Sequence, residues 1–211
     1  MGCNVGWRGD DGINRGLGWY RFPNGSIVGG TYARIFVYSP YVNSYDVSAW
    51  SMLANNASNR IYAQVGWLEK PGGERHTFIE QQDNQTGYFF YNNYPAQPVG
   101  QYHYYTTLWG YHGGKFTYQV DGNTIQELPA VFNPNLAVQA GENQTSANQM
   151  PGGTRNNEVF ANSRVYINGW QDFDAGNQAQ LVIPNPSGQN WYNAFPAASN
   201  QLDIYDFGCA Y

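Results

Sequence analysis

An all-β fold, a two-sheet antiparallel β-sandwich, is what this chain of 211 residues predicts, and three observations carry the prediction. Aromatics make up 17% of the residues and Tyr alone occurs 18 times, and these side chains favour a pleated, half-buried surface. Gly occurs 25 times and, with Asn and Pro, punctuates the chain at turns. Between the turns lie short apolar-alternating runs at near-regular spacing, with no convincing helical periodicity, as in sandwiches.

Taken in order, residues 1–30 read as an irregular, Gly-rich lead-in packed on the sandwich, with brief pairing near Trp19–Phe22. Residues 31–211 read as a single sandwich domain, a usual size for one core. Thr31–Ser39 alternates and is stopped by Pro40, and Val47–Leu53 is a second strand. Tyr62–Glu69 follows, then the hairpin turn Lys70-Pro-Gly-Gly-Glu74 and the strand Arg75–Gln81. Asp83–Gly87 makes another turn, and Tyr88–Tyr91, Gln101–Leu108, Lys115–Val120 and Thr124–Leu128 continue the series. Asp121-Gly122-Asn123 is a tight-turn sequence. A strand is expected within Val131–Gln144, and others at Glu158–Trp170, Ala179–Ile183 and Leu202–Phe207. The Asn/Gln-rich stretch Asn143–Asn157 reads as one long loop.

The chain is organised around Tyr62–Glu69. Ile61, Ala63, Val65 and Trp67 fall on one face of the strand and make a core face, Trp67 included. Tyr62, Gln64, Gly66 and Leu68 fall on the other. There a Gln stands two residues from a Gly, which leaves its polar head open space or marks the close approach of a ligand or another backbone. This strand is expected to floor a cleft, with Gln64 as one half of a reactive pair and Glu142 as the other.

Composition excludes several classes. A net charge of −5 and the lack of any Lys/Arg cluster argue against nucleic acid as a partner. No apolar run approaches the roughly 18 residues of a membrane-spanning helix. Met1-Gly2-Cys3 is no acylation signal, because Gly6 stands where Ser or Thr is required. None of the three histidines, His76, His103 and His112, has zinc-ligand spacing with another His or Cys. There is no Gly-x-Ser-x-Gly elbow, and Asp172-Phe-Asp174 supplies too few oxygens for calcium. No metal or other cofactor is expected. Cys3 and Cys209 lie near the two ends, which are often neighbours in space. A disulfide between them closes almost the whole chain, worth about 5 kcal/mol in the loop-entropy account, and implies an oxidising compartment. Asn24, Asn56, Asn84 and Asn143 each open an N-x-Ser/Thr sequon, so glycosylation is a further expectation. The protein is therefore expected to be extracellular, its signal peptide not part of this chain.

Four features resemble the neprosin-like and eqolisin-like glutamic peptidases, in that family's order. They are Gln64-Val65-Gly66-Trp67, the aromatic strand Thr77-Phe78-Ile79-Glu80, Ala140-Gly141-Glu142, and the loop Gln149-Met150-Pro151-Gly152-Gly153 followed by Val159-Phe160-Ala161-Asn162. The resemblance spans residues 30–170. It implies a jelly roll of the concanavalin type and a secreted endopeptidase acting in acid on polypeptides. Gln64 departs from the neprosin pattern, which has glutamate there, and matches the Gln-x-Gly context of eqolisins. The implied roles are Glu142 as general acid/base and Gln64 as oxyanion partner, with Tyr62, Glu80 and Gln149 as substrate contacts and Glu80 as the reserve acid.

On neighbouring strands of one face, such a pair performs peptide hydrolysis by elementary steps. A carboxylate accepts water's proton during attack on the carbonyl and returns it to the leaving amine. An amide N–H stabilises the oxyanion. Gln does not ionise, so the pair avoids the repulsion of two carboxylates, and a single group governs one limb of the pH profile. Two other classes remain open: a carbohydrate-binding, lectin-like module that stacks Tyr and Trp on a glycan, and an extracellular structural or filament subunit.

Overall fold

The computed structural model describes residues 13–21, 26–40, 42, 46–56, 60–144, 158–173, 192–198 and 200–206. The strands run in chain order as β1 (Ile13–Arg21), β2 (Gly30–Phe36), β3 (Val47–Asn56), β4 (Ile61–Glu69), β5 (Arg75–Asp83), β6 (Tyr88–Tyr94) and β7 (Tyr102–Trp109). They continue as β8 (Lys115–Val120), β9 (Asn123–Pro129), β10 (Leu136–Gln144), β11 (Glu158–Tyr166), β12 (Trp170–Asp172), β13 (Tyr192–Ala198) and β14 (Gln201–Asp206). A six-stranded sheet has the order β1-β10-β3-β4-β5-β6. An eight-stranded sheet has the order β13-β14-β11-β2-β7-β8-β9, with β12 added beside β11. The recorded pairings are all antiparallel, and the architecture is the expected two-sheet sandwich.

The core between the sheets follows from alternation. Ala63, Val65 and Trp67 of β4, Ile79 of β5, Ala33 and Ile35 of β2, Tyr105 of β7 and Phe116 and Tyr118 of β8 are all buried there. Polar groups inside this layer are paired across it. Tyr118 donates to Gln81 Oε1 at 2.7 Å, and Gln81 Nε2 donates to the Pro129 carbonyl at 2.8 Å. Ser163 donates to Gln139 Oε1 at 2.6 Å, and Gln139 Nε2 reaches the Tyr32 carbonyl at 3.1 Å. Tyr118→Phe leaves Gln81 Oε1 without this donor in a fully buried place, so a loss of about 1–3 kcal/mol is expected. Urea unfolding checks it, and an unchanged midpoint refutes it.

Several elements differ from expectation. Within the stretch expected to be irregular, Ile13–Arg21 forms an edge strand paired along its whole length with β10. Its glycines hide the alternation. The run Glu158–Trp170 is broken into β11 and β12 by a turn where Asn168 and Gly169 have φ of 54° and 139°. Tyr192–Ala198, not expected as a strand, pairs with β14. The strand expected at Ala179–Ile183 lies outside the described residues.

Two turns behave as their chemistry demands. Asp121 and Gly122 both have positive φ, 51° and 78°, as a two-residue hairpin turn of the primed type requires. At the β4–β5 hairpin, Gly72 and Gly73 have φ of 90° and 83° and Lys70 N donates to Glu74 O at 2.8 Å. This second turn sets which β5 residue stands opposite Gln64.

Candidate functional site

The outward face of the six-stranded sheet carries the candidate residues. Its register places Gln64 opposite Met52 on one side and Glu80 on the other, and Glu142 opposite Ser48. Ser48 and Met52 share a face of β3, so Gln64, Glu80 and Glu142 share one face of the sheet. Trp50, Met52, Phe78, Leu136, Val138 and Ala140 form a second apolar cluster on that face, with Tyr62 packed against it. The polar groups therefore sit among apolar side chains.

Gln64 is 5% exposed, and its Nε2 donates to Glu80 Oε2 at 3.2 Å. Tyr62 donates its hydroxyl to Glu80 Oε1 at 2.5 Å, with Gln82 Oε1 at 3.2 Å beside it. Glu142 accepts from Ser48 Oγ at 3.2 Å. Burial, first of all, pushes the Glu80 carboxyl above its ordinary value, and the negative charge of Glu142 adds to the rise. The hydrogen bonds from Tyr62 and Gln64 oppose it. The Tyr62 hydroxyl is pushed up too, by burial and then by Glu80.

Three expectations about this site need correction. Gln64 and Glu142 are not on neighbouring strands, because β3 runs between β4 and β10. In line with Gln64 on β10 stands Val138, and Glu142 lies four residues beyond it. The two backbones are thus offset by about 10 Å across the sheet and about 13 Å along it, and Gln64 and Glu142 hold different partners, Glu80 and Ser48. Secondly, Gly66 does not open space beside Gln64. A Cβ there would lie 2.1 Å from the Ala49 carbonyl oxygen and 2.6 Å from Trp50 Cβ, so the close backbone is β3 itself. Thirdly, a Gln in the pair does not leave the site with a single carboxyl, since the charge of Glu142 reaches Glu80 and raises its pKa. Glu80, held in reserve by sequence reasoning, is the carboxyl that touches Gln64. Its signal was legible in the hairpin, where a turn at Pro71–Gly73 pairs Gln64 with Glu80.

The other candidates are more scattered. Trp67 is 2% exposed in the core. His76 bonds Glu74 at 2.6 Å, His103 bonds Asp121 at 2.7 Å, and His112 bonds Glu127. Asp172 pairs with Arg164 at 3.2 Å. Among the described residues no group of three metal-ligating side chains converges. Asn84 is exposed at the β5–β6 turn. Cys3, Cys209, Gln149 and Asn24, and the side chains of Asn56 and Asn143, lie outside the described residues.

In sequence the chain matches no protein-family model and no curated protein. Its fold does have solved relatives. A scytalido-glutamic peptidase bound to a peptide-based transition-state analogue superposes with a TM-score of 0.65 at 11% identity, over 92% of this chain and 98% of that one. A member of the eqolisin family of peptidases, SCP-B, in complex with the tripeptide Ala-Ile-His, superposes with a TM-score of 0.62 at 10% identity, over the same shares. At such identity the likeness is one of fold: this chain has the sandwich of the eqolisin glutamic peptidases.

Proposed function

We infer that the chain is a secreted, acid-acting glutamic endopeptidase working on the outward face of the six-stranded sheet. The observation that carries the reading is the hydrogen-bonded series Tyr62–Glu80–Gln64, an amide held by a half-buried carboxyl on the same face as a second acid, Glu142. The fold shared with eqolisin peptidases supports it.

In this reading the peptide's scissile carbonyl lies between Gln64 and Glu142. Glu142 takes a proton from water as the water oxygen attacks the carbonyl carbon. One N–H of Gln64 is engaged by Glu80, and the other donates to the oxyanion. The C–N bond then breaks as Glu142 returns the proton to the leaving amine. Glu80 is a positioning residue. Its pKa is raised, by burial first and then by the charge of Glu142, so as pH falls it takes up its proton earlier than an ordinary carboxyl does. Activity is expected to fall as rising pH removes the Glu80 proton.

The test is degradation of an unfolded protein substrate between about pH 3 and 7, with folding of every variant checked by circular dichroism. Gln64→Ala is expected to cost about 10²–10³ in rate, the worth of one oxyanion donor. Glu142→Gln is expected to abolish turnover. Glu80→Gln is expected to lower kcat with little change in KM, and to shift the high-pH limb. Full loss in Glu80→Gln with activity retained in Glu142→Gln would exchange the roles of the two acids. A folded wild type inert at every pH would sink the peptidase reading.

A further inference from the structure

The geometry points to a second ligand site on the opposite side of the molecule: the outward face of the eight-stranded sheet carries a binding cleft for a neutral oligosaccharide. The cleft has a volume of about 690 Å³, within the range of roughly 300–1,000 Å³ usual for ligand sites. Tyr32, Tyr104, Tyr111, Tyr166, Trp170 and Gln119 are among the residues that line it, and no charged side chain does.

Strand register builds the cleft. Tyr32 on β2 stands beside Thr106 of β7 and Arg164 of β11, and Thr106 stands beside Gln119 of β8. In the next row Gly30 stands beside Leu108 and Tyr166, and Tyr166 beside Trp170. The neighbours Thr31 and Ala33 point into the core, so the Tyr32 row faces outward. Arg164 and Asp172, at the end of that row, neutralise each other at 3.2 Å.

The aromatic rings are held in place and yet remain open to solvent. Tyr32 meets Trp170 edge-to-face at 4.8 Å and Tyr104 at 5.8 Å, and Tyr166 meets Trp170 at 5.4 Å. A Cβ on Gly29 would lie 2.9 Å from the Tyr166 ring, and one on Gly30 would lie 3.2 Å from the Trp170 ring. These rings therefore rest on a glycine floor that no other residue permits without displacement. The turn that presents Trp170 is pinned by the buried Ile167, whose N–H donates to Gly169 O at 2.9 Å. Nevertheless Tyr104, Tyr111, Tyr166 and Trp170 are 36%, 62%, 42% and 39% exposed. A fixed, exposed aromatic patch of this kind marks a binding surface.

Chemistry selects the occupant. Aromatic faces offer stacking for the C–H face of a pyranose, and their polar tips offer hydrogen bonds to its hydroxyls. The Tyr104 oxygen accepts from Asn162 Nδ2 at 3.2 Å, which leaves its own O–H to donate. Gln119 donates to Thr124 at 3.3 Å, which leaves its carbonyl to accept. Single-stranded nucleic acid also stacks on aromatics, but it needs a positively charged groove that is absent from this lining.

The test titrates the whole protein with β-linked oligomers of glucose, xylose and N-acetylglucosamine and with α-linked oligomers of glucose, followed by calorimetry at low and high salt. Binding to at least one is expected, indifferent to salt, and weakened at least about tenfold by Trp170→Ala and by Tyr111→Ala. The more exposed Tyr111 keeps the test decisive if the Trp170 variant misfolds. Absence of binding to every sugar, or binding unchanged in the folded variants, overturns the proposal. So does capture of a proline-rich peptide instead, lost in the same variants, which would make the cleft a polyproline site. Each result is independent of whether the opposite face hydrolyses peptides.

Discussion

Gly66→Ala is expected to be strongly destabilising. The new Cβ would meet the Ala49 carbonyl oxygen at 2.1 Å and Trp50 Cβ and Cα at 2.6 and 2.7 Å. Two of these three atoms are backbone, so no side-chain rotation relieves the clash, and β3 must move away from β4. Overpacking of a well-packed site costs about 1–3 kcal/mol and sometimes more, and here the cost is expected at or above the top of that range. Against a total stability of about 5–15 kcal/mol for a domain, that leaves a marginal protein. Because Gln64 is two residues from Gly66, its alignment with Glu80 is expected to suffer as well. Urea unfolding followed by circular dichroism measures the effect, and a midpoint equal to the wild type's would show that the strands part easily here.

Stability is expected to fall as pH rises from acid to neutral, and Glu158→Gln is expected to flatten that fall. Glu158 is fully buried at the start of β11, and neither carboxyl oxygen has a hydrogen-bond partner of ordinary geometry. Burial pushes its pKa well up, the nearby Asp203 adds to the rise, and the indole N–H of Trp67 opposes it from a position short of a regular hydrogen bond. An acid with a raised folded pKa binds its proton more tightly folded than unfolded. The stability it contributes is whole below the unfolded value of about 4.3 and is lost as pH rises through the folded value. Over that window the group contributes a slope of up to about 1.4 kcal/mol per pH unit. Glu80, Glu69 and Asp46 are raised in the same direction, each chiefly by burial. Glu74, lowered by its hydrogen bond to His76, is exposed, and Glu127, lowered by hydrogen bonds to His112 and Lys115, is half-buried. Chemical unfolding across this pH range compares the two proteins, and parallel profiles would remove Glu158 as the cause. A sandwich that is firmest in acid suits the acid action proposed for its site.

The sandwich was legible because alternation is a local property. Ala63, Val65 and Trp67 were assigned to the core by parity alone, and all three are buried there. Asp121-Gly122 and Lys70–Glu74 announced their turns because particular residues tolerate positive φ. Where glycine interrupts the alternation, in Ile13–Arg21, or where a turn hides inside an apolar run, at Asn168-Gly169, local pattern misled. Tyr192–Ala198 carries Pro196, which obscures its strand character.

What the sequence by itself determined is the chemistry available to each strand: which residues share a face, where the chain turns, and that Gln64 faces away from the core. Which strands become neighbours was decided only by the tertiary structure. Register within a hairpin is set by its turn, so Gln64 against Glu80 follows locally from Pro71–Gly73. The place of β10, by contrast, depends on pairing between segments some ninety residues apart in the chain. That pairing is selected by packing across the two sheets, where Gln139 bonds Ser163 and the Tyr32 carbonyl. It puts β3 between the expected partners, sets Val138 in line with Gln64, and makes Glu80 the carboxyl that touches the amide.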